Sequence, residues 1–104
     1  MNDCLHLKEL FAERGMAFPN DLENANIRLS IYRERTKGRA KKLAALPPNH
    51  YNRPLQKRAY NRWRANQQLM LAAIACFTGD AAVSAYIEKF NYFVANNGDI
   101  RYSH

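Results

Sequence analysis

Apolar residues recur at steps of three and four along nearly the whole chain, and no stretch shows the alternation of an amphipathic strand, which confines the sequence to an all-α fold. Leu7, Leu10 and Phe11, with Leu5, mark the inner side of a first helix over about 3–14, which Gly15 closes. Asn20 or Asp21 caps a long second helix over 21–46, with Leu22, Ala25, Leu29, Tyr32, Thr36, Ala40 and Leu43 inward. Pro47 and Pro48 stop it. Gly38 in its interior costs about 1 kcal/mol relative to alanine and predicts a bend or fraying there. Pro54 opens a third helix over 54–77 that turns Tyr60, Trp63, Gln67, Met70, Ile74 and Phe77 inward. Its last two turns are apolar nearly all round, which places them at the centre of the core.

After Thr78-Gly79 a fourth helix over 80–96 presents Val83, Tyr86, Ile87, Phe90, Phe93 and Val94, and Asn96-Asn97-Gly98 ends it. Ile100 to His104 form a tail. Short connections make these helices antiparallel neighbours, so residues 1–104 are expected to form one helical domain: a small bundle of about four helices with a long central hairpin. A chain of 104 residues has room for one modest core and not for a lobe-and-cleft enzyme.

Twelve of the sixteen basic residues lie between Arg28 and Arg64, with Glu34 as the single acid, giving that segment a formal charge of +11 against +7 for the whole chain. Segregated charge of this size attracts a polyanion or an acidic protein face. At 100° per residue, Arg28, Arg35, Arg39 and Lys42 fall on one flank of the second helix, and Arg33, Lys37 and Lys41 fall on the other. Lys57, Arg58, Arg62 and Arg64 load the start of the third helix, and Arg53 stands just before it. A merely solubilising face usually mixes signs at four-residue spacing, whereas 33/37, 35/39, 37/41 and 58/62 here are like-charged pairs. Arginine outnumbers lysine eight to four in the segment, which suits bidentate phosphate contact. Tyr51, in the loop with His50, is the aromatic best placed to stack on an unpaired base. Trp63 stands among the arginines, but its spacing assigns it to the core stripe. Asn49, Asn52, Asn61 and Asn66 bring amides to the same end, for base edges or for capping.

The expected function is therefore a small basic nucleic-acid-binding accessory or regulatory protein that contacts phosphates through Arg33, Arg35, Lys37, Arg39, Lys41, Lys42, Arg53, Lys57, Arg58, Arg62 and Arg64, with Tyr51 at the tip. DNA and RNA are not distinguished. The alternative is a non-catalytic inhibitor or adaptor, of the kind a phage or plasmid encodes, whose basic face docks on an acidic surface of a larger nucleic-acid-processing machine. That reading needs an apolar anchor beside the charges, and Ile27 and Ile31, off the core stripe, are the candidates unless they pack on the first helix. The regular stripe of the second helix also admits a homodimer seam.

A helix-turn-helix at Gln68–Ile87 fits poorly. Phe77 occupies the small-residue turn position, and Asp80-Ala81-Ala82-Val83-Ser84 carries nothing to read a groove. His6, His50 and His104 are scattered, no catalytic constellation or phosphate loop appears, and no cofactor is expected. His6, Glu9 and Glu13 share a face but read as exposed polar surface and not as a metal site. The longest apolar run, Leu69–Phe77, is half a membrane span, and the basic segment lacks the free apolar face that lipid binding needs, so no membrane partner is expected. With no signal peptide at the start of the sequence, a cytoplasmic location is expected. Cys4 and Cys76, far apart in sequence with no ligand neighbours, are expected to be two reduced thiols.

Overall fold

Local chemistry sets the ends of the helices. In the computed structural model, which describes residues 3–95, there are four of them and no strand: α1 (Asp3–Glu13), α2 (Leu22–Ala45), α3 (Arg53–Thr78) and α4 (Val83–Phe93). Gly15 closes α1 in the left-handed conformation at φ 67°, and Gly79 does the same for α3 at φ 71°. Asp21 is the N-cap of α2, its carboxylate accepting the Asn24 N–H at 2.7 Å. Pro54 lies in the first turn of α3, as expected. α2 runs through Gly38 without a break. α4 begins three residues later than expected, because the Asp80 carboxylate accepts the Ala82 N–H at 2.9 Å and holds residues 80–82 in a turn. The expected stop at Asn96-Asn97-Gly98 and the tail lie outside the described residues.

α2 and α3 form the long hairpin, and α1 and α4 pack on α3 and on each other, leaving α1 without contact to α2. The body therefore lies at one end of the hairpin, and the described residues together extend over 44 × 27 × 21 Å. Leu7, Phe11, Ala25, Leu69, Met70, Ala72 and Ala73 are wholly buried, so the C-terminal half of α3 is the centre of the core. The small side chains Ala65, Ala72, Ala73 and Ala75 let the neighbouring helices come close to it. Three expected core positions are not core. Leu5 and Leu22 are exposed, and Phe77 stands at the edge, 6.0 Å from the Phe18 ring, because α3 is flanked by helices on the faces that carry Leu69 and Ala72.

The fold corrects the expectation for the cysteines. Cys4 in the first turn of α1 and Cys76 in the last turns of α3 are bonded as a disulfide, with Cα atoms 6.0 Å apart. Their distance in sequence was misleading because α1 folds back along α3.

Asn66 also departs from expectation. It is buried, and its Oδ1 accepts from Arg14 Nε at 3.2 Å and Nη2 at 2.7 Å, while the same guanidinium lies 5.1 Å from the Phe90 ring. One cation thus ties the end of α1 to α3 and α4. Asn66→Ala should cost about 1.5–3 kcal/mol, the range for hydrogen bonds to a charged group, read as a lower denaturant midpoint at unchanged slope. Gln68 Oε1, by contrast, is buried without a hydrogen-bond partner. Gln68→Met should raise stability by about 1 kcal/mol, the lower end of what an unsatisfied buried group costs, and thermal unfolding measures it.

Candidate nucleic-acid interface

The basic segment coincides with the part of the hairpin that extends beyond the body. The cations there divide into those the fold uses and those it leaves outward. Arg28 donates to the Ala17 carbonyl at 2.7 Å and to Tyr32 Oη at 3.1 Å, bracing the chain between α1 and α2. Arg53 donates to the carbonyls of Leu43 at 3.0 Å and Leu46 at 3.3 Å, closing the C-terminal end of α2. Arg64 lies over the Phe93 ring at 4.4 Å and meets Tyr60 Oη at 3.4 Å. Lys37 pairs with Glu34 at 3.2 Å in an exposed ion pair of little strength.

Arg33, Lys41, Lys42, Lys57 and Arg58 are exposed and are bound by no hydrogen bond or ion pair among the described residues. Arg39 reaches Gln56 Oε1 at 3.5 Å across the helix pair, and Arg62 is half-buried. Arg35 rests its guanidinium 5.0 Å from the Trp63 ring. The indole, which packs on Tyr32 at 5.4 Å, is a half-buried interhelical residue and not an exposed stacking platform. It positions the arginine while leaving its N–H edges to a partner.

Helical geometry sorts these groups onto two sides. In an antiparallel pair the same-sense flanks of the two helices face the same way, since a two-fold rotation relates them. Arg35, Arg39 and Lys42 of α2 therefore share a side with Arg58 and Arg62 of α3. Arg28, bonded to Ala17, places this side toward α1. Arg33 and Lys37 share the other side with Arg53, Lys57 and Arg64, and the Arg64–Phe93 contact turns that side toward α4. On that side Arg53 and Arg64 serve the fold and Lys37 is ion-paired, and on the side facing α1 Arg35 lies on Trp63, Arg39 reaches Gln56 and Arg62 is half-buried. Each side thus keeps exposed cations bound by no hydrogen bond or ion pair among the described residues: Lys42 and Arg58 toward α1, and Arg33, Lys41 and Lys57 on the other.

At the tip, Tyr51 is 90% exposed, with its ring stacked on His50 at 4.6 Å and 24°. His50 Nδ1 accepts the Asn52 N–H at 3.0 Å, which fixes the ring beneath the tyrosine. Pro48, Asn49, Arg53, Pro54 and Lys57 complete a shallow hollow around the pair. Of the four asparagines singled out in the sequence, Asn66 is committed to Arg14, while Asn49 is exposed beside Tyr51. The roles of Arg53, Arg64 and Asn66 in holding the fold were not signalled by residue type, because a cap or a buried amide is defined by what tertiary packing brings to it.

The outer surface of α4 carries Ser84, Ala85, Glu88, Lys89, Asn91 and Tyr92, with no basic residue or amide in its first turn. Among the described residues no group of three His, Cys, Asp or Glu is placed to hold a metal ion, and no helix is long and apolar enough to cross a membrane. The chain matches no known family model, no curated protein and no solved structure.

Proposed function

We propose that this chain is a small, non-catalytic nucleic-acid-binding accessory protein that grips phosphates along the α1-facing side of its helical hairpin. Arg35, Arg39, Lys42, Arg58 and Arg62 supply the grip, with Tyr51 at the tip stacking on an unpaired base. The observation that supports this reading best is the row of cations on the flanks of two paired helices, with Glu34, on neither flank, the single acid between Arg28 and Arg64. Spacing along rigid helices suits successive phosphates, and an α4 whose first turn carries no basic residue or amide favours backbone contact over sequence readout. Arg33 and Lys57 on the opposite side add to the general field.

Titration of labelled single-stranded and duplex DNA and RNA, followed by fluorescence anisotropy at several salt concentrations, tests the proposal. Micromolar or tighter binding near physiological salt, with a steep salt slope and a preference for single strands that Tyr51→Ala removes, is the expected result. Attraction that disappears at moderate salt would overturn it.

The protein-docking alternative gains from one observation: Ile27 and Ile31 are 53% and 45% exposed, and α1 does not cover them. They stand opposite the core, between the two charged flanks of α2. The cytoplasm remains the proposed place of action. The Cys4–Cys76 bond belongs to oxidising surroundings, and in a reducing one the protein would act as the dithiol.

A further inference from the structure

We propose that the tip of the hairpin takes one unpaired nucleotide at the end of a duplex, and not a continuous single strand. The inference rests on the nucleic-acid reading above and narrows its substrate.

The count of open rings carries it. Between Arg28 and Arg64 the tyrosines and tryptophans are Tyr32, Tyr51, Tyr60 and Trp63. Three of them are half-buried and already have a guanidinium over the ring: Arg28 at 5.9 Å from Tyr32, Arg64 at 5.5 Å from Tyr60 and Arg35 at 5.0 Å from Trp63. Tyr51 is different. It is 90% exposed, and His50 backs one face of its ring while the other stays open. A protein that tracks a single strand stacks successive bases on successive rings. One open ring holds one base, so the preference for single strands over a blunt duplex comes from a single nucleotide.

Away from Tyr51 the hairpin offers contacts to phosphates and none to bases. Arg39 meets Gln56 at 3.5 Å and Arg35 meets Trp63, which sets Arg58 and Arg62 close to the levels of those two arginines. From Lys42 back to Arg35 is seven residues of α2, a rise of about 10 Å or about three steps of duplex. Phosphates that a duplex already holds at fixed spacing meet rigid helices without further ordering, whereas a flexible strand loses conformational freedom as it binds. The duplex also carries the denser charge.

The tract runs in one direction only, which selects the end of a duplex over an internal bulge. The chain reverses between Ala45 and Arg53, and residues 46–52 carry no lysine or arginine, so the cations lead from Tyr51 back toward the body. Lys57 lines the same shallow hollow as Tyr51 and Asn49, is exposed, and is bound by no hydrogen bond or ion pair among the described residues. It is placed to take the phosphate of the stacked nucleotide.

Fluorescence anisotropy with the full chain tests this on four probes, each made as DNA and as RNA. They are a duplex closed at one end by a non-nucleotide linker and blunt at the other, the same duplex with one unpaired nucleotide, the same with a long overhang, and a single strand. One unpaired nucleotide should raise affinity about tenfold over the blunt end, in the range for one base stacked on an aromatic ring, and the long overhang should add little more. Tyr51→Ala should bring the first two probes to the same affinity, while Tyr51→Phe keeps them apart. A fluorescent purine analogue at the unpaired position should be quenched by the protein and not by Tyr51→Ala. Affinity that climbs with overhang length, or a blunt end bound as tightly as one with an unpaired nucleotide, would overturn the inference and leave the nucleic-acid reading in place. Failure of every probe to bind would overturn both.

Discussion

Reduction of the Cys4–Cys76 bond should lower the thermal midpoint by roughly 12–24 °C, the equivalent of about 3 kcal/mol in a domain of this size. The bond closes a loop spanning a sequence separation of 72, so breaking it returns a large share of chain entropy to the unfolded state. Its position localises the effect. Among the helices, α1 packs on α3 and α4, through Leu7, Leu10 and Phe11 and the Arg14–Asn66 hydrogen bonds, and the disulfide secures its other end. Amide protection in α1 should therefore fall before that of α3 when the bond is cut, as hydrogen exchange can follow. A Cys4→Ser/Cys76→Ser variant should reproduce the reduced protein. Since small domains have about 5–15 kcal/mol of stability, the dithiol form should still fold at room temperature, and the hairpin should keep its affinity. An unchanged midpoint would mean that the packing of α1 alone fixes it.

The second large effect concerns binding. Alanine at Arg35, Arg39, Arg58 and Arg62 together should cut nucleic-acid affinity about a hundredfold near physiological salt and flatten the slope of log K against log salt by about 3–4. Each released phosphate contact contributes a little under one unit of that slope for duplex DNA. A matched quadruple alanine variant at Arg33, Lys37, Lys41 and Lys57, on the other side of the hairpin, should lose much less. Thermal unfolding separates binding from folding here, because surface substitutions away from packed features usually change stability by about 0.5 kcal/mol or less. Removing Arg35 also strips the cation from the Trp63 face, so its contribution to stability is best measured singly. Equal losses from both variants would show a diffuse field and not a path. No loss from either would end the nucleic-acid reading and return interest to an acidic protein partner.

How far the sequence could be read differs between scaffold and site. The apolar period and the glycine and proline breaks specified four helices, their order and the long hairpin, because 3.6-residue periodicity and capping act over a few residues. They failed at the start of α4, where a side-chain turn at Asp80 delays the helix, and at Phe77 and Leu22, whose spacing matched the stripe but whose neighbours lie on another face. For the site, the local excess of positive charge was legible in full, since net charge is additive along the chain. Which cations face outward was not. Arg53 closes α2, Arg64 lies on Phe93, and Arg28 holds Ala17, and each of those partners arrives only when the helices pack.

The sequence by itself determined an all-helical chain with one cationic hairpin, because helix propensity, periodicity and charge are local properties. Only the tertiary structure decided that Cys4 meets Cys76, that Asn66 serves Arg14, and that Ile27 and Ile31 stay uncovered. Those outcomes depend on which face of α3 each neighbour takes, and that choice is made by the packing of whole side-chain surfaces against one another.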